Sequence, residues 1–366
     1  MGLPDIVIEF SKKAVVAIQS GALGIVGIIL KDDKNNGAMV LKGVDEIPTG
    51  ESAFSEANTA YIERAFMGAP SKVIVYTLPK DAESYNDAFK YFSTVKVHYL
   101  CGAPDISSAE AEAFVTWIAG VRKNTVRRPV AVLPNVKADN KAVISFKVVN
   151  ATEDEKIEVG DTEFTEAEYC SRIAGLIAGL DLRVSSTFKP LNEVTMIPVA
   201  EDAEVDTAVD EGYLTLYNDG ERIVIARGVN SLTTVNEVET EDLKKIKILA
   251  IQDLIETDIY GTINRSYIGN YSNSYDNKCL LITAIKGYLR GLEATEGGKG
   301  YLKADSSTVE INVAKQKQYL ESIGIDTSEM STQDIKEANT GSKVFLKGTI
   351  SILDAIEDVD IFINKE

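Results

Sequence analysis

Seven consecutive residues, Gly24-Ile25-Val26-Gly27-Ile28-Ile29-Leu30, carry no polar side chain. The run falls far short of the ~20 residues a spanning helix needs. A strand with this pattern is buried on both faces, and sheets buried on both faces are parallel sheets covered by helices. The segments that follow supply the cover. Residues 55–67 read as a helix with Ala60, Ile62, Ala65 and Phe66 as its apolar positions, stopped by Gly68-Ala69-Pro70. Residues 72–78 form a β-branched strand, 81–92 a helix and 95–100 another strand. Ser107-Ser108-Ala109-Glu110 is a capping box that opens a helix through Arg122, and 129–133 is the next strand. Strands separated by helices in this way predict an α/β fold on a mostly parallel sheet.

The alternation then loosens. A strand is expected over 143–149, an acidic turn over 151–160, and a helix from a second capping box, Thr165-Glu166-Ala167-Glu168, through Leu180. Asn218-Asp219-Gly220 between two strand-like runs, 214–217 and 222–226, signals a hairpin. Long helices are expected over 241–266, 276–292 and 309–323, followed by strands over 343–353 and 359–363. A chain of 366 residues holds two or three domains. The expected division is an N-terminal arm over 1–20, the α/β domain over 21–240, a mixed α+β domain over 241–345 and a C-terminal arm over 346–366.

Several chemistries are disfavoured by composition. A net charge of −18 repels phosphate backbones and anionic lipid. His98 is the only histidine, and it stands three residues from Cys101 on an alternating strand, so the two face opposite ways. Cys101, Cys170 and Cys279 form no CxxC pair and read as reduced thiols. Gly21, Gly24 and Gly27 are spaced GxxGxxG and lead into a strand, whereas a dinucleotide loop opens a helix. Gly297-Gly298-Lys299-Gly300 lacks the frame of a phosphate loop, and no GxSxG elbow is present. The acidic residues Glu153-Asp154, Asp202, Glu204, Asp206 and Asp210 lack calcium-loop spacing. No catalytic, cofactor-binding or metal-binding residue is therefore expected. Lys12-Lys13 and the apolar stretch 14–30 imitate a signal anchor. Gln19-Ser20-Gly21 interrupts that stretch, so it reads as two strand-like pieces, 14–18 and 23–30.

Both ends carry apolar, β-branched segments: Ile6, Val7, Ile8, Glu9 and Phe10 at one, and Val359, Ile361, Phe362 and Ile363 at the other. Chain ends are usually polar and frayed. A strand needs a partner edge. Each segment either pairs within its own chain or adds to a sheet of a neighbour.

Several blocks together resemble the contractile tail sheath family of bacteriophages and R-type bacteriocins, especially compact members from Gram-positive hosts. They are 2–10, 62–70 leading into 72–76, 172–179 with Ser186-Thr187-Phe188, 218–234, Tyr267-Ile268-Gly269 with 273–278, and 339–342 before 353–358. The resemblance implies stacked hexameric rings forming a helical sheath around a tail tube. It also implies N- and C-terminal arms that add strands to neighbours, baseplate and terminator proteins as further partners, and contraction that drives the tube through a cell envelope. No nucleic acid, membrane insertion or cofactor enters that scheme, and assembly would take place in the host cytoplasm before release as a tail particle or virion. The C-terminal domain would face the tube, which makes Lys315 and Lys317, beside Gln316 and Gln318, candidate tube contacts; a solvated helix face is the other reading. Pro79-Lys80 runs straight into a helix where larger members carry outer domains, which implies a slim sheath. The competing readings are a non-catalytic α/β surface-binding module and an enzyme built on the α/β core.

Overall fold

In the computed structural model, which describes residues 24–153, 155–295 and 300–364, the apolar run becomes β1 (Ile25–Lys31), buried along all but its last residue. The chain continues through β2 (Gly37–Leu41), α1 (Glu56–Phe66), β3 (Lys72–Leu78), α2 (Asn86–Phe92), β4 (Tyr99–Cys101), α3 (Ser108–Asn124), β5 (Val130–Pro134) and β6 (Val143–Phe146). Then come the hairpin β7 (Ile157–Val159) and β8 (Thr162–Phe164), the helices α4 (Glu166–Gly179) and α5 (Asp202–Asp210), and β9 (Tyr213–Leu214). The pair β10 (Leu216–Asn218) and β11 (Ile223–Ile225) precedes α6 (Ile246–Thr262). One sheet in the order β2-β3-β1-β4-β5-β6-β9 organises this unit, and every pairing in it is parallel except that of β2 with β3.

Alternation along the strands divides the core. Ile25, Ile29, Leu100, Ala131 and Leu133 pack with Phe89, Phe92, Phe114 and Ile118 of α2 and α3. There the ring of Phe89 stacks on Trp117 at 4.6 Å and meets Phe114 edge-on at 5.1 Å. Cys101 faces the other way and is buried with Tyr61 of α1 and Cys170 of α4. Burial pushes the Cys101 thiol up to about 12. The helices α1 and α4 meet backbone to backbone: a Cβ on Gly175 would stand 2.0 Å from the carbonyl oxygen of Ala65, and one on Gly179 only 1.7 Å from that of Gly68. Gly24 takes a φ of +82° close under Ala178, so this glycine before β1 serves packing.

The described residues form two compact units, 24–257 with 354–364, and 258–353. The second contains α7 (Tyr275–Leu292), β12 (Thr308–Ile311), α8 (Val313–Ser322), α9 (Thr332–Glu337) and β13 (Leu346–Thr349), with β12 and β13 antiparallel. Asn273 donates to the carbonyls of Gly341 at 2.7 Å and Lys343 at 3.0 Å, so two of the blocks noted in the sequence meet here. No helix among the described residues is long and apolar enough to cross a membrane.

Both capping boxes form as expected, Ser107 with Glu110 and Thr165 with Glu168. The helix expected from Asp81 begins only at Asn86, the strand expected over 95–100 is cut to Tyr99–Cys101 and leaves His98 outside it, no strand forms over 359–363, and further expectations change. The helix expected over 241–266 is a 3-10 turn (Glu241–Lys244), then α6, then a π turn (Ile263–Tyr267). The helix expected over 309–323 begins only after Asn312, whose side chain caps it, because Thr308–Ile311 alternate exposed and buried as a strand. The acidic turn over 151–160 gives way to the β7–β8 hairpin, turned by Gly160 at φ +62°. Leu214 belongs to the main sheet, and the hairpin is confined to β10 and β11. The strand over 343–353 shrinks to β13 plus one bridge between Ile352 and Leu302.

Candidate functional site

The break before α6 has a local cause. Residues 228–230 run beside 244–246, with Ile246 N donating to Gly228 O at 3.0 Å and Asn230 N to Lys244 O at 2.8 Å. This pairing pulls Lys245 out of helical conformation, to φ −84° and ψ 125°. Its ammonium then reaches the chain's last described segment, where it pairs with Asp354 and stands 3.2 Å from Glu357 Oε2.

A second element converges on the same carboxylate. Ser185 Oγ donates to Glu357 Oε1 at 2.8 Å, and Thr187 Oγ1 donates to the same oxygen at 2.7 Å. The loop is set for this. Thr187 Oγ1 accepts from Gly228 N at 2.9 Å, and Phe188 takes a φ of +56°, uncommon for an aromatic residue, while its N–H donates to Ile225 O at 2.8 Å. Alongside, Arg227 pairs with Asp358. Burial raises the Glu357 carboxyl, but the hydrogen bonds from Thr187 and Ser185 and the Lys245 charge outweigh it, and the net shift is downward. Burial lowers the Lys245 ammonium, but its bonds to Asp354 and Glu357 outweigh it, and the net shift is upward. The group is charged on both sides.

The segment inverts the usual burial pattern. The Glu357 side chain is 5 % exposed, whereas Ile356 is 89 % and Phe362 88 % exposed. Val359, Ile361 and Ile363 are exposed too, and among the described residues none of them is paired in a strand. Ile6, Val7, Ile8, Glu9 and Phe10 lie outside the described residues. Lys315 and Lys317 sit on exposed positions of α8 in the other unit, with Lys317 3.9 Å from Glu321; Gln316 between them is buried and donates to the carbonyl of Ile335.

Sequence reasoning passed over Ser185, Lys245 and the anchoring role of Glu357. The blocks 186–188, 226–228 and 353–358 had each been noticed, but no spacing tells that they touch. The one histidine is occupied: His98 Nδ1 accepts from Ile25 N at 3.1 Å, and burial brings its pKa down to about 4. Among the described residues no cluster of three or more His, Cys, Asp or Glu could hold a metal ion.

Comparison with known proteins extends this picture. Residues 80–231 match the phage tail sheath protein central domain. The chain is 39% identical to the tail sheath protein of the Clostridium phage phiCD119, with 98% of each chain covered. A sheath tail protein from Desulfitobacterium hafniense shares the fold at a TM-score of 0.69 and 16% identity, over 84% of this chain and 94% of that one. A chain of the anti-feeding prophage baseplate does so at a TM-score of 0.66 and 13% identity, over 100% and 99%.

Proposed function

This chain belongs to the phage tail sheath family, and from that membership we propose that its copies stack as hexameric rings around a tail tube and contract to drive the tube through a target envelope. The role is structural. Work comes from conformational energy stored on assembly, and the particle forms in the host cytoplasm before acting outside it. The baseplate and the terminator close the two ends of the stack.

The observation that carries this reading is the exposed segment of Val359, Ile361, Phe362 and Ile363 beyond a fastened root. Backbone hydrogen bonds to a sheet edge of a second copy would bury those side chains. Such bonds survive side-chain rearrangement, so bodies can turn while the mesh holds. A gain of ~1–3 kcal/mol per subunit suffices when many move together. The anti-feeding prophage baseplate with this fold is six-fold symmetrised, which supports six copies per ring. The segment Ile6, Val7, Ile8, Glu9 and Phe10 is assigned the same role at the other end.

The test is assembly of the full chain. Wild-type protein should form tubes by negative-stain electron microscopy, and the double variant Ile361→Asp/Phe362→Asp should stay dispersed with an unchanged circular dichroism spectrum. Normal tubes from that variant would overturn the strand-addition reading. A monodisperse wild-type monomer at high concentration would favour a surface-binding module instead.

A further inference from the structure

The polar residues at the root of the C-terminal segment do something that the apolar residues cannot. An unpaired strand attached to a flexible root would sweep a wide volume, and ordering it on a neighbour would cost backbone entropy for every residue fixed. Here the root is tied to its own subunit. Two hydroxyls and an ammonium converge on Glu357, with hydrogen bonds of 2.8 and 2.7 Å and an ion pair of 3.2 Å. Asp354 on one side and Asp358 on the other are each tied to a cation, Lys245 and Arg227. Three carboxylates in five residues are thus held by three separate stretches of the same unit, at 185–187, 227 and 245.

We infer that Glu357 is a positioning residue: with Asp354 and Asp358 it clasps the root of the segment to its own subunit, so that Val359 to Ile363 leave in one direction, toward a second copy of this chain. The pattern of exposure fits. The carboxylate is inside while Ile356, Val359 and Phe362 are out, so the anchor is polar and the apolar side chains stay free for a partner. The break in the helix at Lys245 fits as well, because a continuous helix there would lose the pairing with 228–230 that places the ammonium. The inference rests on the strand-addition reading for the partner, and on geometry alone for the clasp.

NMR relaxation on unassembled full-length protein separates the two. In Glu357→Ala, backbone order parameters over 354–358 should fall from rigid values of about 0.85 to below about 0.6. Those of β1 and β5 should be unchanged, and tubes should be lost. Should Glu357→Ala loosen the whole unit, Ser185→Ala/Thr187→Val with Glu357 retained gives the same reading with a milder change. Unchanged order parameters over 354–358, or normal tubes from a variant whose root has become mobile, overturn the inference. Normal tubes from Ile361→Asp/Phe362→Asp would instead remove the strand-addition reading, and the relaxation result would still decide the clasp.

Discussion

The guanidinium of Arg122 meets the carboxylate of Asp253 through two hydrogen bonds, 2.8 and 2.7 Å long, across 131 residues of sequence. Both side chains are largely buried. The pair fastens the end of α3 to α6. Beside it Arg128 donates to Glu256 and also to the carbonyls of Arg122 and Thr125, which closes the C-terminus of α3.

Breaking this pair on one side leaves a buried charge alone. Burial raises the Asp253 carboxyl and Arg122 opposes that rise, so loss of the arginine exposes the full desolvation cost. Arg122→Ala should lower unfolding stability by about 3 kcal/mol. Arg122→Met combined with Asp253→Leu should recover most of it. Urea denaturation of the three proteins checks both statements.

The contact between α1 and α4 predicts a sharp contrast between glycines. Gly175→Ala places a methyl group 2.0 Å from Ala65 O and should cost about 3 kcal/mol or abolish folding. Gly120, in α3, has open space around it, and Gly120→Ala should stabilise by about 0.5–1 kcal/mol. Thermal denaturation of the two variants reads the difference.

Acid should open the root of the C-terminal segment before the unit unfolds. Glu357 has a folded pKa below its ordinary value, so its contribution is complete above roughly pH 4.3 and is lost as pH falls through the folded value. Lys245 has a raised pKa, and its contribution is lost only as pH rises past the usual lysine range. Backbone order parameters over 354–358 should therefore be flat through neutral pH and should fall in acid. Loss of order between about pH 6 and 8 would contradict the assignment of the carboxylate.

Reversing charge at Lys315 and Lys317 tests whether α8 meets the tube. Lys317→Glu sets a like charge beside Glu321, worth only about 0.2–0.5 kcal/mol on a helix face, so the subunit should fold. Cosedimentation with tube protein should drop while sheath-only polymers persist. Undiminished cosedimentation assigns both lysines to a solvated face.

Much of the main sheet was legible because its signals are local. An apolar run such as β1, a β-branched run such as β3 and the capping residues Ser107 and Thr165 act within a few residues of themselves. Some local signals were missed, notably the alternation of Thr308–Ile311, which carries a strand period inside a stretch of helix-forming composition. The interruption at Lys245 could not be read at all. Its cause is a backbone pairing with Val229, and helical propensity on both sides argues the other way. The same holds for the root of the C-terminal segment. Ser185, Thr187, Arg227, Lys245 and Glu357 are ordinary polar residues of a surface loop or helix until tertiary structure brings them within reach of one another.

Where Gly175 and Gly179 of α4 cross Ala65 and Gly68, no side chain stands between the two backbones, and this has a mechanical consequence. Interdigitated side chains can hop between rotamers and let two helices slip by a fraction of a turn, but a carbonyl oxygen against a glycine Cα offers no such give. At that crossing the helix pair resists sliding as a rigid strut, and deformation of the subunit falls to stretches held by single hydrogen bonds and ion pairs.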